Sequence, residues 1–136
     1  MLKNVKIING ILVIKWTWYM RNVTAIFMGE TTKKDGDRKG AAAQSFAGLP
    51  FIIIREWRFA TDKTINHEKI HMYQALEMLY LPFLILYIGN YLLNLVKGKP
   101  LMEAYKDIIF EKEAYDNDDN LDYLKTRKFW SWYKYV

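Results

Sequence analysis

The spacing of hydrophobic positions changes near the middle of the chain. Val5-Lys6-Ile7-Ile8 and Ile11-Leu12-Val13-Ile14 flank Asn9-Gly10. Asn-Gly suits the positive φ values of a type I′ turn, and β-branched residues surround it, so this stretch predicts a β-hairpin. The branched run Val23–Met28 predicts a further strand. Gly29–Gly40 is polar and charged and reads as a loop. Ala41–Gly48 is rich in small residues and fits no single element. Leu49-Pro50-Phe51-Ile52-Ile53-Ile54-Arg55 predicts a short strand with its proline at the tolerated first positions. From Thr61-Asp62 onward the period becomes helical. Either residue can cap, and Ile65, Met72, Ala75, Leu76 and Leu79 recur on one face. Pro82 disfavours helical geometry at Leu81, so this helix should end or kink near Tyr80. A second helix is expected from about Phe83 to Val96, stopped by Gly98 and Pro100. A third should run from Leu101 through Tyr115. The stretch Asp116-Asn117-Asp118-Asp119-Asn120 is a break or a cap, and a short helix over Leu121–Lys128 follows. Strands precede helices, which predicts an α+β fold: an N-terminal antiparallel sheet or hairpin, then a helical region. One domain covers 1–136, with 1–60 mainly β and 61–136 mainly α.

Composition narrows the chemistry. The 136 residues include 51% hydrophobic and 16% aromatic side chains, enough for one packed core. There is no cysteine. Disulfides, thiolate metal sites and a thiol nucleophile are excluded, so a metal site must use the two histidines, carboxylates, or both. The net charge of +5 comes from the first 60 residues, with Lys33, Lys34, Arg38 and Lys39 the densest group. Asp35, Gly36 and Asp37 interrupt it. That pattern reads as a solvated loop and no nucleic-acid partner is expected.

Met78–Val96 carries no charge, which reaches the lower range for a membrane span. Pro82, Gly89, Asn90 and Asn94 lie inside it, which favours a buried or interfacial helix with Leu84, Ile85, Ile88 and Leu92 packed against the sheet or neighbouring helices. A membrane span is the other reading, and peripheral membrane contact through 79–96 is open beside both. The N-terminus lacks a convincing signal peptide, because Asn9-Gly10 breaks the apolar run and Trp16, Trp18 and Tyr19 follow it. A cytoplasmic or peripheral membrane location is expected. At the C-terminus, Lys125, Arg127, Lys128 and Lys134 alternate with Phe129, Trp130, Trp132, Tyr133 and Tyr135, which reads as an aromatic segment docked on the domain.

His67-Glu68-Lys69-Ile70-His71 is an HExxH motif inside the first helix of the second half. Residues i and i+4 share a helix face, so both imidazoles can reach one ion, while Glu68 is rotated about 100° and can meet a water without ligating. This spacing suits zinc-assisted hydrolysis with Glu68 as the base. A third ligand must be a carboxylate, and Glu111 and Glu113 are the candidates downstream. Gln74 lies on the face of His71. Tyr105 and Tyr115 are candidate oxyanion donors, and Arg55 and Arg58 have similar status. The acids Asp116, Asp118, Asp119 and Asp122 lack the glycine and terminal glutamate of a calcium loop.

Ile65-Asn66-His67-Glu68-Lys69-Ile70-His71-Met72-Tyr73-Gln74, followed by Phe110-Glu111-Lys112-Glu113-Ala114-Tyr115, resembles the gluzincin branch of the zincin metallopeptidases. It is also similar to small uncharacterised bacterial zincin-like proteins sharing His-Glu-x-x-His-x-x-Gln and Glu-x-Glu-Ala. The resemblance covers roughly Pro50–Tyr135. It implies a Zn2+ site of His67, His71 and Glu111, a peptide or protein substrate, and hydrolysis of peptide bonds. Many gluzincins place an aspartate four residues after the ligand glutamate to support a histidine. Tyr115 stands there in this chain, as a candidate for the same support, and Glu113 remains the alternative ligand. The competing expectation is a zincin-like scaffold that binds or organises without turnover.

Overall fold

The computed structural model describes residues 3–28, 43–45 and 51–136. The loop expected over Gly29–Gly40, with Lys33, Lys34, Arg38 and Lys39, lies outside the described residues, as do Leu49 and Pro50. The elements are β1 (Val5–Ile8), β2 (Ile11–Lys15), α1 (Thr17–Met28), β3 (Ala43–Ser45), β4 (Phe51–Ile54), α2 (Asp62–Glu77), α3 (Leu81–Val96), α4 (Leu101–Lys106), α5 (Ile109–Asn117) and α6 (Tyr123–Thr126). Short 3-10 turns occupy Trp57–Phe59 and Ser131–Tyr135. The fold is α+β, a small sheet followed by helices.

Asn9 and Gly10 take φ values of 50° and 77°, as a type I′ turn requires, and pair Val5 with Ile14 and Ile8 with Ile11 across the hairpin. The sheet order is β1-β2-β4-β3. Its outer pairings are antiparallel, but β2 and β4 run parallel, with Val13 opposite Ile52.

The parallel pairing explains the first departure from expectation. Val23–Met28 is not a strand; it completes α1. Joining two parallel strands takes a crossover of a dozen or more residues, usually a helix, and α1 has 12. Its start is fixed where β2 leaves the sheet. The Trp16 amide donates to the Ile54 carbonyl at 2.9 Å, and Thr17 Oγ1 donates to the Arg55 carbonyl at 2.7 Å. Branched residues cost a helix only tenths of a kcal/mol each, so topology overrides their strand preference.

α2 is the central element. Thr61 Oγ1 accepts from the Thr64 amide at 3.2 Å, capping its N-terminus. Ile65 and Met72 pack with Val13, Ile52 and Ile54 of the sheet. Ala75 belongs to a second cluster, with Met78, Phe83, Tyr91, Ala104, Ile108, Phe110 and Trp132, which joins the helices and the C-terminal tail. Leu79 and Tyr80 break the chain after α2 with φ of 52° and 66°, and Pro82 sits in the first turn of α3, where its missing N–H costs nothing.

The helix expected over Leu101–Tyr115 is two helices. Ile108 is extended between them, at φ −59° and ψ 130°. The break is held by a side chain from elsewhere: Asn90 Oδ1 accepts from the Ile109 amide at 2.7 Å and so caps α5. Asn94 Nδ2 donates to the Ala104 carbonyl at 3.0 Å. These two asparagines face inward. As a result Leu84, Ile85, Ile88 and Leu92, expected to pack against the sheet or helices, are on the exposed face of α3. No single helix among the described residues is long and apolar enough to cross a membrane. α2 and α3 pass such a test only as a pair bent by 116°.

Candidate metal centre

α2 carries His67 and His71 one turn apart, and α5 lies against it with Glu111 in its first turn. Asn66 strengthens this contact. Its Nδ2 donates to the carbonyls of Asp118 and Asn120, each at 3.0 Å, tying the α2 face to the end of α5. The three side chains converge. His67 Nε2 is 3.2 Å from Glu111 Oε2, His71 Nε2 is 3.2 Å from Glu111 Oε1, and the two Nε2 atoms are 3.2 Å apart. All three residues are buried, and together they could hold a metal ion.

The triangle can be tested against an ion's requirements. Three corners of a tetrahedron with bonds of about 2 Å lie roughly 3.3 Å apart. The two Nε2 atoms match that spacing, and each lies equally close to a different oxygen of the Glu111 carboxylate. The tautomers point the same way. Gln74 Nε2 donates to the Phe110 carbonyl at 3.0 Å and to Glu113 Oε2 at 2.8 Å. This orients the amide so that Oε1 faces His71 Nδ1 at 2.8 Å, making that nitrogen the donor. His67 Nδ1 likewise donates to Asp118 Oδ2 at 3.1 Å. Each neutral imidazole then turns the bare lone pair of Nε2 toward the other. Two lone pairs 3.2 Å apart repel unless a positive charge lies between them. A proton or a metal ion supplies that charge.

The electrostatics agree. Burial disfavours the His71 imidazolium, but Glu111 and then Glu68 outweigh it and raise the pKa to about 9. The same contest raises His67. For Glu111, burial favours the neutral acid, but the two imidazoles win and hold the carboxyl far below the usual range.

Two supports of the site are side chains that spacing did not single out. Asp118 stood out in the sequence only as one acid of a cluster. It lies seven residues after Glu111, two helical turns on, which was the available signal. Tyr87, from the inner face of α3, donates to Glu111 Oε1 at 2.5 Å. Nothing in the apolar run around Tyr87 distinguished it.

Of the other candidates, Glu68 is buried on α2 beside His67. Gln74 is fully buried and holds His71 rather than facing solvent. Glu113 points away from the triangle. Its Oε1 accepts from Tyr123 at 2.9 Å and from Arg127 Nε at 2.5 Å, while Oε2 accepts from Gln74. Tyr115 lays its ring against His67, with centroids 4.7 Å apart at 63°, and hydrogen-bonds to Tyr105. Burial, then Glu111, raises the pKa of both phenols, so both keep their protons at neutral pH. Arg55 and Arg58 lie over the Phe59 ring. The acidic residues after Tyr115 divide: Asp118 turns in to His67, and Asp119 pairs with Lys63 at 3.0 Å.

Compared with known proteins, the chain matches no family model, no curated protein and no solved structure.

Proposed function

We propose that the protein is a zinc-dependent peptidase of the gluzincin type, with His67, His71 and Glu111 as ligands. The observation that carries this reading is the buried convergence of His67 Nε2 and His71 Nε2, 3.2 Å apart, each 3.2 Å from one oxygen of Glu111. Imidazole and carboxylate donors in that number leave one position of a tetrahedron open, the arrangement of catalytic rather than structural sites. Zinc bound there would act as a Lewis acid, polarising a carbonyl and lowering the pKa of water to about 7.

The residues of the chain divide the remaining work. Glu68 accepts a proton from the attacking water and passes it to the leaving amine. Tyr115, protonated at neutral pH and in ring contact with His67, donates a hydrogen bond to the developing oxyanion, with Tyr105 orienting its hydroxyl. Gln74 and Asp118 fix the two imidazoles by Nδ1, which leaves Nε2 of each free to hold zinc. Tyr87 holds one oxygen of Glu111.

Glu68→Gln tests this assignment, because it keeps size and polarity and removes the base. Zinc-loaded wild type is expected to cleave members of a peptide library. The variant should retain zinc and lose activity by about 10²–10⁴-fold. Equal cleavage by both would remove Glu68 as the base. Zinc retained with no cleavage by the wild type would favour a zincin-like scaffold without turnover.

A further inference from the structure

α3 is arranged inside out for a helix on a water-exposed surface. Its polar side chains Tyr87, Asn90, Tyr91 and Asn94 turn inward, where Tyr87 bonds Glu111, Asn90 caps α5, Asn94 ties α4 and Tyr91 joins the core. Every exposed residue of the helix is apolar or glycine. Ile85, Ile88 and Val96 expose 61%, 51% and 84% of their surfaces, and Leu81, Leu84 and Leu92 lie on the same side. At about 100° per residue, the exposed apolar arc covers roughly 200° of the helix. Leu76 and Leu79, on the other side of the bend, are exposed as well.

We infer that this face docks on an anionic lipid bilayer, with α3 lying in the plane of one leaflet. Width argues for lipid over protein. A helix seated in a protein groove presents a stripe of about 100° bounded by polar residues. An arc twice as wide, with no polar side chain on it, suits a fluid that wraps the helix. Length argues against crossing. Sixteen residues span about 24 Å, short of the roughly 30 Å of hydrocarbon. The neighbouring α2 cannot extend it, because its buried face is committed to His67, Glu68, His71 and Gln74 inside the protein.

The ends of α3 are suited to headgroups. No charge occurs between Glu77 and Lys97, and exposed Lys97 follows the last turn. On the inner side of the first turn, Phe83 packs on Phe110 and Phe110 on Trp132, so the C-terminal tail lies behind that end of the helix. That tail exposes Phe129, Trp130 and Tyr133 beside Lys128 and Lys134. A lysine closing an apolar arc matches the bilayer interface, where its cation complements anionic lipid, and the exposed rings and lysines of the tail are of the same kind.

The test is co-sedimentation of the full chain with vesicles of phosphatidylcholine, with and without 30% phosphatidylglycerol. The protein should pellet with the anionic vesicles, less so with phosphatidylcholine alone. Raised salt should weaken binding without abolishing it. The double variant Ile88→Glu/Leu92→Glu changes only exposed positions and should keep the wild-type circular dichroism and zinc content. It should lose at least tenfold in vesicle affinity. Protein left in the supernatant with both vesicle types, or a folded double variant binding as tightly as wild type, would overturn the proposal. So would sedimentation equilibrium showing a lipid-free dimer that the double variant dissociates, with no vesicle binding, since a second copy would then cover the face.

Discussion

A neutral imidazole offers a metal only one nitrogen, so whatever holds the other nitrogen decides how well it binds. In this chain the holders differ. His67 has a carboxylate, Asp118, while His71 has the neutral amide of Gln74, itself steered by Glu113. Loss of an outer partner of this kind typically costs 10–100-fold in metal affinity. Asp118→Asn should therefore weaken zinc binding by roughly that factor in a chelator-competition titration. Glu111→Ala, which removes a donor, should cost more, by orders of magnitude. Glu113→Ala should act mainly on folding stability, since its carboxylate is occupied by Arg127, Tyr123 and Gln74. A larger zinc loss from Glu113→Ala than from Glu111→Ala would move the ligand by two residues. The convergence of His67, His71 and a downstream glutamate was legible because helical spacing alone puts i and i+4 on one face. Which glutamate faces the histidines came from the resemblance and not from spacing, because both are buried and their directions depend on where α5 begins.

That starting point is set between elements. Asn90 of α3 caps α5 with its side chain, so the phase of α5, and with it the direction of Glu111, depends on a residue 21 positions earlier. Removing a cap usually costs about 1 kcal/mol. Asn90→Ala should lower the free energy of unfolding in urea by about that amount and also weaken zinc binding, while Asn90→Asp, which keeps an acceptor, should restore much of both. A normal zinc affinity in a destabilised Asn90→Ala would show that the cap serves stability alone. The elements legible in the sequence are those whose reasons are local. Asn9-Gly10 makes its hairpin by its own backbone preference, and Thr61 caps α2 within one turn. The unread ones have distant reasons. α1 is a helix because β2 and β4 are parallel, and the helix after Pro100 divides because Asn90 reaches the Ile109 amide. The outward face of α3 was misread for a related cause. An apolar run looks the same whether its polar members face in or out, and here they face in.

At the scale of the whole molecule, one buried cation joins the tail to both helices of the site. The Arg127 side chain is 2% exposed. Its Nη1 bonds Glu77 near the end of α2, and its Nε bonds Glu113 on α5 at 2.5 Å. Burial opposes the charge on Arg127, but the two carboxylates outweigh it and raise its pKa further. The arrangement holds one positive and two negative charges, and this asymmetry orders the effects of substitution. Arg127→Met leaves two buried carboxylates without their cation. Breaking a buried pair in this way costs about 3–5 kcal/mol. Glu113→Gln removes one negative charge and leaves Arg127 balanced by Glu77, while its amide oxygen can still accept from Tyr123 or Arg127. It should therefore cost clearly less than Arg127→Met in equilibrium urea unfolding. Because the same tail packs Trp132 against Phe110, next to Glu111, Arg127→Met should also loosen the aromatic packing, seen as a change in tryptophan fluorescence before the main transition. If the two variants proved equally stable, or Glu113→Gln the worse, the charges would not be balanced as argued, and Glu113 would owe its burial to Gln74 and the metal centre instead.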